Sequence, residues 1–379
     1  MTDRAKLSVH DITVRRRKAE ILHVPRLEVL DDEVLAVIGP NGAGKTTLLQ
    51  VLALLEKPAK GEVMFEGRPV RGRQLALRRR MAVMMQDPLL LRRSVAENVA
   101  TGLRLRGVLR SERRLRVRRW LERFDVAHLA QRSARKISGG EAHRVSLARA
   151  FALEPEVLLL DEPFSALDQP TRESLVEELA AALSETGLTT VFVTHDRNEA
   201  LRLGHRVAVV VGGELRQVGP TAEVFAAPVD EDVASLVGAE TVVPGRRIAA
   251  REGLVSVEVG SQVIEAVASG LISEDVLVVL RPEDITLTMV EDRSLASSAR
   301  NRLRGAIDRI TLMGHQARVT IDCGFPLIAL ITKQSLEDLG LQPGQEIIAA
   351  FKAHAVHLRP RERAVPSEQA ASSAAGRGL

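Results

Sequence analysis

Gly39-Pro40-Asn41-Gly42-Ala43-Gly44-Lys45-Thr46 has the spacing G-x-x-x-x-G-K-[ST]. A loop of this kind suits the cradling of phosphates. Its glycines let the backbone curl until N–H groups converge on phosphate oxygens, and a helix that starts there adds its dipole. Gly39, Asn41, Gly42, Ala43 and Gly44 are therefore expected to line the cradle, and Lys45 to reach the β- and γ-phosphates. Thr46, with Thr47 beside it, opens the next helix and offers a hydroxyl to Mg2+. Such a loop needs an acidic partner. Val157-Leu158-Leu159-Leu160-Asp161-Glu162 supplies one, an apolar run that ends in two carboxylates. Ligands of open α/β sheets gather at strand mouths, so Asp161 there would hold the metal and Glu162 would polarise an attacking water. The reaction class is nucleoside triphosphate hydrolysis.

These residues need a scaffold, and the first 236 residues provide its pattern. Val34 to Ile38, Val157 to Leu160, Thr190 to Thr194 and Val207 to Val211 are short, nearly continuous apolar runs. Runs of that kind fit parallel strands covered on both faces. The loop at Gly39 follows one such strand and precedes an apolar-periodic helix from Thr46 to about Glu56, the context that confirms the motif. From about 92 to 135 the chain is Arg-rich and helical, which predicts an inserted helical subdomain. Arg113, Arg114, Arg116, Arg118, Arg119 and Arg123 there could meet nucleic acid, but a solvated helix face is the stronger reading.

Bulk composition sets outer bounds. The chain has 379 residues and a net charge of +4, with one cysteine, Cys323. That length suits two or three domains, and a lone cysteine allows no internal disulfide and suits a reducing cytoplasm. The start, MTDRAKLSVHD, has no apolar leader core. No apolar run approaches the ~20 residues a membrane span needs, so any membrane role goes through a partner.

Further segments carry a specific resemblance. Ile137-Ser138-Gly139-Gly140-Glu141 followed by HRVSLARA resembles the signature motif of ABC ATPases, usually L-S-G-G-Q. Ser165-Ala166-Leu167-Asp168 resembles their D-loop, His195 their switch histidine and Gln86, in MMQDPLLL, their Q-loop glutamine. The resemblance covers the first domain. It implies a P-loop ATPase fold that binds ATP and Mg2+. Catalysis would involve Glu162, His195 and Gln86, the metal Thr46, Asp161 and Gln86. Ser138, Gly139, Gly140 and Asp168 would complete the ATP site of a second copy, which implies a head-to-tail homodimer. The family places an aromatic ring on adenine at a position that here falls on Arg16; either Arg16 stacks on the base or the ring contact is missing. One ATPase domain without membrane helices, followed by a β-rich tail, resembles importer ATPases. That implies a peripheral protein at the cytoplasmic face of the membrane, bound to permease subunits and, through them, to a substrate-binding protein. Leu89 to Leu91 would suit the cleft that receives the permease, or the core.

The tail reads as short alternating strands with hairpin signals at Gly260-Ser261 and at Cys323-Gly324-Phe325-Pro326. VLVVLRPEDITL (276–287) and IIAAFKAHAVHL (347–358) align, with Arg281 opposite Lys352. Two all-β, OB-like barrels in tandem are expected, at 239–296 and 297–360, before a polar disordered tail at 361–379. Ser298-Ala299-Arg300-Asn301-Arg302-Leu303 resembles the opening of molybdate/tungstate-binding Mop (TOBE-type) domains, and Phe351-Lys352-Ala353-His354 their closing strand, with His354 in place of a hydroxyl residue. The resemblance implies an oxyanion site using Ser298, Ala299, Arg300, Asn301 and Lys352, and an importer of tungstate or molybdate, with sulfate or another anion as the close alternative. A soluble ABC ATPase acting on nucleic acid is the rival from another class.

Overall fold

The computed structural model describes residues 5–17, 19–72, 74–165, 167–238, 241–251, 253–267, 273–290 and 298–360. Ala166 and the tail at 361–379 lie outside the described residues. The chain divides into two compact units that part after Gly238.

The first unit is built on one ten-stranded sheet. Its strands are β1 (Ala5–Arg16), β2 (Ala19–Leu30), β3 (Val34–Ile38), β4 (Lys60–Phe65), β5 (Arg68–Pro69), β6 (Met81–Met84), β7 (Val157–Asp161), β8 (Thr189–Thr194), β9 (Arg206–Val211) and β10 (Glu214–Pro220), in spatial order β5-β4-β1-β2-β10-β9-β3-β8-β7-β6. Strands β9, β3, β8, β7 and β6 run parallel. Every residue of β3, β7 and β8 is buried, because both faces of this part are covered.

Alternation along these strands divides the interior in two. Val34, Ala36, Ile38, Leu158, Leu160 and Phe192 face one core. Their neighbours Leu35, Val37, Leu159, Val191 and Val193 face the other, with α1 (Lys45–Leu52) and the antiparallel strands β1 and β2. The short α2 (Leu75–Arg78) precedes β6. The first core takes α3 (Val95–Leu105), α4 (Arg110–Arg123), α5 (Gly139–Phe151), α6 (Gln169–Thr186), α7 (Arg197–Leu203), α8 (Thr221–Ala226) and α9 (Glu231–Val237).

Helices α3, α4 and α5 meet where few aromatics are available, and three of them gather there. The Trp120 and Phe151 rings stand 4.7 Å apart, and those of Phe124 and Phe151 5.4 Å. The arginines of α4 form a solvated, paired face: Arg118 bonds Glu122 at 2.7 Å, Arg116 pairs with Glu112 and Glu154, and Arg123 reaches Glu185. Among the described residues no helix is long and apolar enough to cross a membrane.

Among the described residues the second unit is all β apart from α10 (Lys333–Asp338) and two short 3-10 turns. Strands β11 (Thr241–Arg251), β12 (Leu254–Val259), β13 (Gln262–Val267), β14 (Asp275–Leu280), β15 (Thr286–Met289), β16 (Asn301–Met313), β17 (Gln316–Asp322), β18 (Pro326–Thr332), β19 (Glu346–Phe351) and β20 (His357–Pro360) form two five-stranded antiparallel sheets. The expected hairpins are β12–β13, turning at Gly260, and β17–β18, turning at Gly324.

The halves at 239–296 and 297–360 are not two separate barrels, because they exchange strands. The sheet orders are β13-β12-β11-β14-β20 and β15-β19-β16-β17-β18. The last strand of the chain pairs with β14 (Val278 opposite Leu358), and β15 pairs with β19 (Leu287 opposite Ala349). One core, containing Val257, Val278, Ile307, Val319 and Ile347, serves both sheets.

Asn301 pins this arrangement. It is 2% exposed, its Oδ1 accepts from Glu265 N–H at 2.7 Å, and its Nδ2 donates to Glu265 C=O at 2.8 Å. Asn301→Ala leaves two backbone groups of β13 without those partners, at a cost of about 2–4 kcal/mol. Asn301→Asp keeps the acceptor and sets a carboxylate against the Glu265 carbonyl. Urea unfolding followed by hydrogen exchange at residues 241–360 should show both variants destabilised; an unchanged midpoint for Asn301→Ala would refute the pin.

Candidate functional site

The phosphate loop leaves β3 at Ile38 and passes close under β9. A Cβ on Gly39 would stand 2.1 Å from Val210 O, so only glycine fits. Gly42 and Gly44 have φ of 81° and 97°, left-handed values that glycine adopts without strain. Gly44 caps α1 without a side-chain bond, leaving the first N–H groups of the helix turned to the loop. The Lys45 ammonium donates to Gly39 O at 2.8 Å and Pro40 O at 3.0 Å. The residue is 5% exposed; burial pulls its pKa down, and the Glu162 and Asp161 charges oppose that pull.

Thr46 Oγ1 donates to Asp161 Oδ1 at 3.0 Å across the ends of the sheet. Asp161 is 2% exposed, and burial pushes its carboxyl upward while the Thr46 bond works the other way. A hydroxyl and a buried carboxylate facing each other beside a phosphate loop are a donor set that fits Mg2+.

Glu162 follows Asp161 with φ at 44°, left-handed for a non-glycine. Its N–H donates to Val193 O at 3.0 Å, and its carbonyl accepts from Ser165 N–H and Oγ at 3.1 and 2.9 Å. Its carboxylate lies 3.5 Å from Gln86 Nε2 and 3.3 Å from His195 Nδ1. The three expected catalytic side chains are thus gathered at one carboxylate. A cavity of about 650 Å³ runs from Arg16 past Lys45 and Thr46 to Gln86, Glu162 and His195, with Asn41, Gly42, Gly44 and Thr47 in its wall. Gly39 and Ala43 support the loop from beneath: Ala43 is 3% exposed, within the core. Arg16 stands at the cavity's edge, 3.4 Å from Glu56. Ser165, the first residue of the D-loop-like segment, lines the cavity as well, as does Ile21, which the sequence did not single out.

Ser138, Gly139, Gly140 and Asp168 are not in this wall. Ser138 and Gly139 are exposed at the start of α5. Ser138 N–H donates to the Glu141 carboxylate at 2.6 Å, and Glu141 N–H to Ser138 Oγ at 3.3 Å. This is a reciprocal cap that Glu or Gln can make, so the Glu141 departure leaves the turn intact. The Ser138 N–H also holds the Glu141 carboxyl below its ordinary range. Gly140 packs beside Thr171, where a Cβ would meet Thr171 Cγ2 at 2.9 Å. Asp168 caps α6, accepting from Thr171 N–H at 3.0 Å. The signature turn and the Asp168 turn therefore lie side by side.

Behind His195, Thr194 Oγ1 donates to the carboxylate of Glu199, which is 6% exposed; burial pushes that carboxyl up to about 7. Nothing in the sequence marks Glu199 as buried. Its folded pKa stands above the ordinary 4.5, so the folded state binds more protons between about 4.5 and 7. Stability falls as pH rises through that window and levels above it. Glu199→Gln should raise Tm more at pH 8 than at pH 5, read by thermal unfolding at both; an equal change at both values would contradict the buried acid.

In the second unit, Ser298, Ala299 and Lys352 line one cavity of about 650 Å³, with Arg302, His354, Glu283 and Asp284. Arg300 and Asn301 do not join them. The Arg300 guanidinium pairs with the Glu265 carboxylate, and Asn301 is spent on the Glu265 backbone. Of the five residues expected at an oxyanion site, three line this cavity.

Two family models match: the ABC transporter family at residues 22–165 and the TOBE domain at 297–358. The molybdate/tungstate import ATP-binding protein of Pyrococcus horikoshii is 35% identical over 358 residues, covering 93% of this chain and 100% of the relative. The sulfate/thiosulfate import ATP-binding protein of Gloeobacter violaceus is 34% identical over 324 residues (85% of this chain, 87% of the relative). The spermidine/putrescine import ATP-binding protein of Ruegeria pomeroyi is 37% identical over 270 residues (71% and 74%). A dimeric ATP-binding cassette solved in a post-hydrolysis state with ADP and Pi has 29% identity and a TM-score of 0.52, covering 57% of this chain and 98% of that one. With both domains matched in order and full-length relatives at this identity, the chain belongs to the ABC transporter family, as an ATP-hydrolysing import subunit that works with permease subunits and carries a TOBE domain.

Proposed function

We propose that this subunit energises uptake of a tetrahedral oxyanion, molybdate or tungstate, as one half of a homodimer bound to its permease at the cytoplasmic face of the membrane. The observation that carries the cargo is the convergence of Ser298, Ala299 and Lys352 on one cavity, in a chain that matches a molybdate/tungstate import ATP-binding protein over its whole length. Tetrahedral dianions need several donors close together. Lys352 and Arg302 supply charge there, offset by Glu283 and Asp284 on the same wall.

At the nucleotide site, Lys45 and the N–H groups of the loop bind the β- and γ-phosphates. Thr46 and Asp161, with Gln86, would hold Mg2+, which would neutralise phosphate charge. Glu162 takes up the proton of the attacking water, and His195 and Gln86 orient that water and the γ-phosphate. Arg16, at the cavity's edge, would stack its guanidinium on the base. Ser138, Gly139 and Asp168 are exposed and Gly140 is half-buried beside Thr171; all four lie outside their own chain's cavity, which suits contact with the nucleotide held by a second copy. That placement supports a head-to-tail dimer with ATP at its interface.

Glu162→Gln should retain ATP affinity and lower kcat by about 100-fold or more, since a general base contributes roughly 10²–10⁴. It should also elute as an ATP-stabilised dimer in size-exclusion chromatography. Hydrolysis at the unmutated rate would remove Glu162 from the catalytic role.

Calorimetry on the full chain without nucleotide, in a Lys45→Ala background that silences the phosphate loop, tests the cargo. Tungstate and molybdate should bind, and Lys352→Ala should weaken both at least tenfold. Preference for sulfate would move the assignment to sulfate import; no heat with any anion would leave the cavity without an anion role.

A further inference from the structure

The wall of the nucleotide cavity contains His195 but nothing that explains how the turn carrying it is held. The answer lies behind it, on α6. Arg172 sits one turn after Asp168, and its backbone N–H donates to Asp168 O at 2.9 Å. Its guanidinium reaches in two directions. Nη2 donates to Leu167 O at 3.1 Å, in the loop before α6, and Nη1 stands 3.7 Å from Asp196 Oδ2, next to His195. Its Nε is buried without a hydrogen-bond partner, so the group is committed to this place through its two terminal nitrogens.

Asp196 in turn fixes the histidine's turn. It caps α7 by accepting from Asn198 N–H at 2.8 Å, and its own N–H donates to Thr194 Oγ1 at 2.9 Å. His195 lies between the two residues so joined. On the far side, His195 and Ser165 both contact Glu162. The contacts close a ring: Glu162 to Ser165, along the loop to Leu167, through Arg172 to Asp196, and by His195 back to Glu162.

We propose that Arg172 is a positioning residue: it ties the loop carrying Asp168 to the turn carrying His195, and so sets His195 against Glu162 for hydrolysis. The proposal rests on the catalytic reading of Glu162 and His195. Arg172 touches neither nucleotide wall nor phosphate loop, and it acts only through Asp196 and Leu167. A guanidinium is needed because one planar group must serve a carbonyl and a carboxylate at once. The other charged groups around it are Glu173, Glu199 and Arg202, which line the same small cavity between α6 and α7. Arg202 is engaged with Glu177 at 3.3 Å, and Glu199 with Thr194.

The test is steady-state ATPase on the full chain with Arg172→Gln, Arg172→Lys, His195→Ala and the double variant Arg172→Gln/His195→Ala. Arg172→Gln should lower kcat by about 10-fold or more and leave KM for ATP within about twofold, because the phosphate contacts are untouched. Arg172→Lys, which keeps the charge facing Asp196 but not the fork, should fall between. In the His195→Ala background, Arg172→Gln should cost less than about twofold, since groups acting as a unit are non-additive. Losses that multiply in the double variant would overturn the proposal, as would a KM that rises as kcat falls. If His195→Ala alone hydrolyses ATP normally, it is the catalytic reading of His195 that fails, a result distinct from multiplying losses.

Discussion

A cation almost wholly withdrawn from water organises the nucleotide half of this molecule. Burial pulls the pKa of the Lys45 ammonium down. Two carbonyls of its own loop accept its hydrogens, and two carboxylates, Asp161 and Glu162, favour its charge. The loop belongs to the end of β3 and the carboxylates to the end of β7, and β8 lies between. Only a parallel arrangement brings all these strand ends to one edge. The continuous burial of β3, β7 and β8 pays for that arrangement. The same edge then holds Thr194 and His195, at the end of β8, within reach of Glu162.

Much of this was legible in the sequence because backbone constraints select residue types. Gly39 must be glycine beneath Val210 O, and Gly42 and Gly44 carry left-handed backbone, so the spacing of glycines records the shape of the loop. Asp161 and Glu162 were readable for a similar reason: an apolar run that ends in acids is a strand reaching a mouth. What was not legible depends on partners far along the chain. Glu199 looks like any helix-face acid until α6 and β8 enclose it. Ile21 looks like any strand residue of β2. In the second unit, Ser298 to Asn301 matched an anion motif as a string, yet Arg300 and Asn301 are both claimed by Glu265 of β13. A string of residue types carries no record of that neighbour.

The strand exchange in the second unit has the same origin. Internal similarity shows that two segments adopt the same local form, and they do: β14 and β19 each end in a short 3-10 turn, at Pro282–Asp284 and Ala353–Ala355, before β15 and β20. Similarity does not say which strand each one pairs with. The turn redirects the chain, so the strand before it lies in one sheet and the strand after it in the other. Two such crossings give each sheet a strand from either half and leave one core between them. Neither half can close its own core, and the pin at Asn301 joins β16 to β13 from the opposite sheet.

The adjacency of Asp161 and Glu162 poses a geometric problem. Consecutive residues of a strand point to opposite faces. A metal-holding acid and a water-polarising acid side by side in sequence would therefore serve different faces if β7 simply continued. The chain leaves strand geometry at Glu162, whose φ of 44° is a value that costs a non-glycine residue about 1–2 kcal/mol. Both backbone groups of Glu162 are then held, the N–H by Val193 O and the carbonyl by Ser165. That turn lets Asp161 keep Thr46 while Glu162 reaches Gln86 and His195. Ser165, through its bonds to the Glu162 carbonyl, thus contributes to this geometry as much as the acids do, for it stabilises the left-handed residue that brings two neighbouring carboxylates to one site.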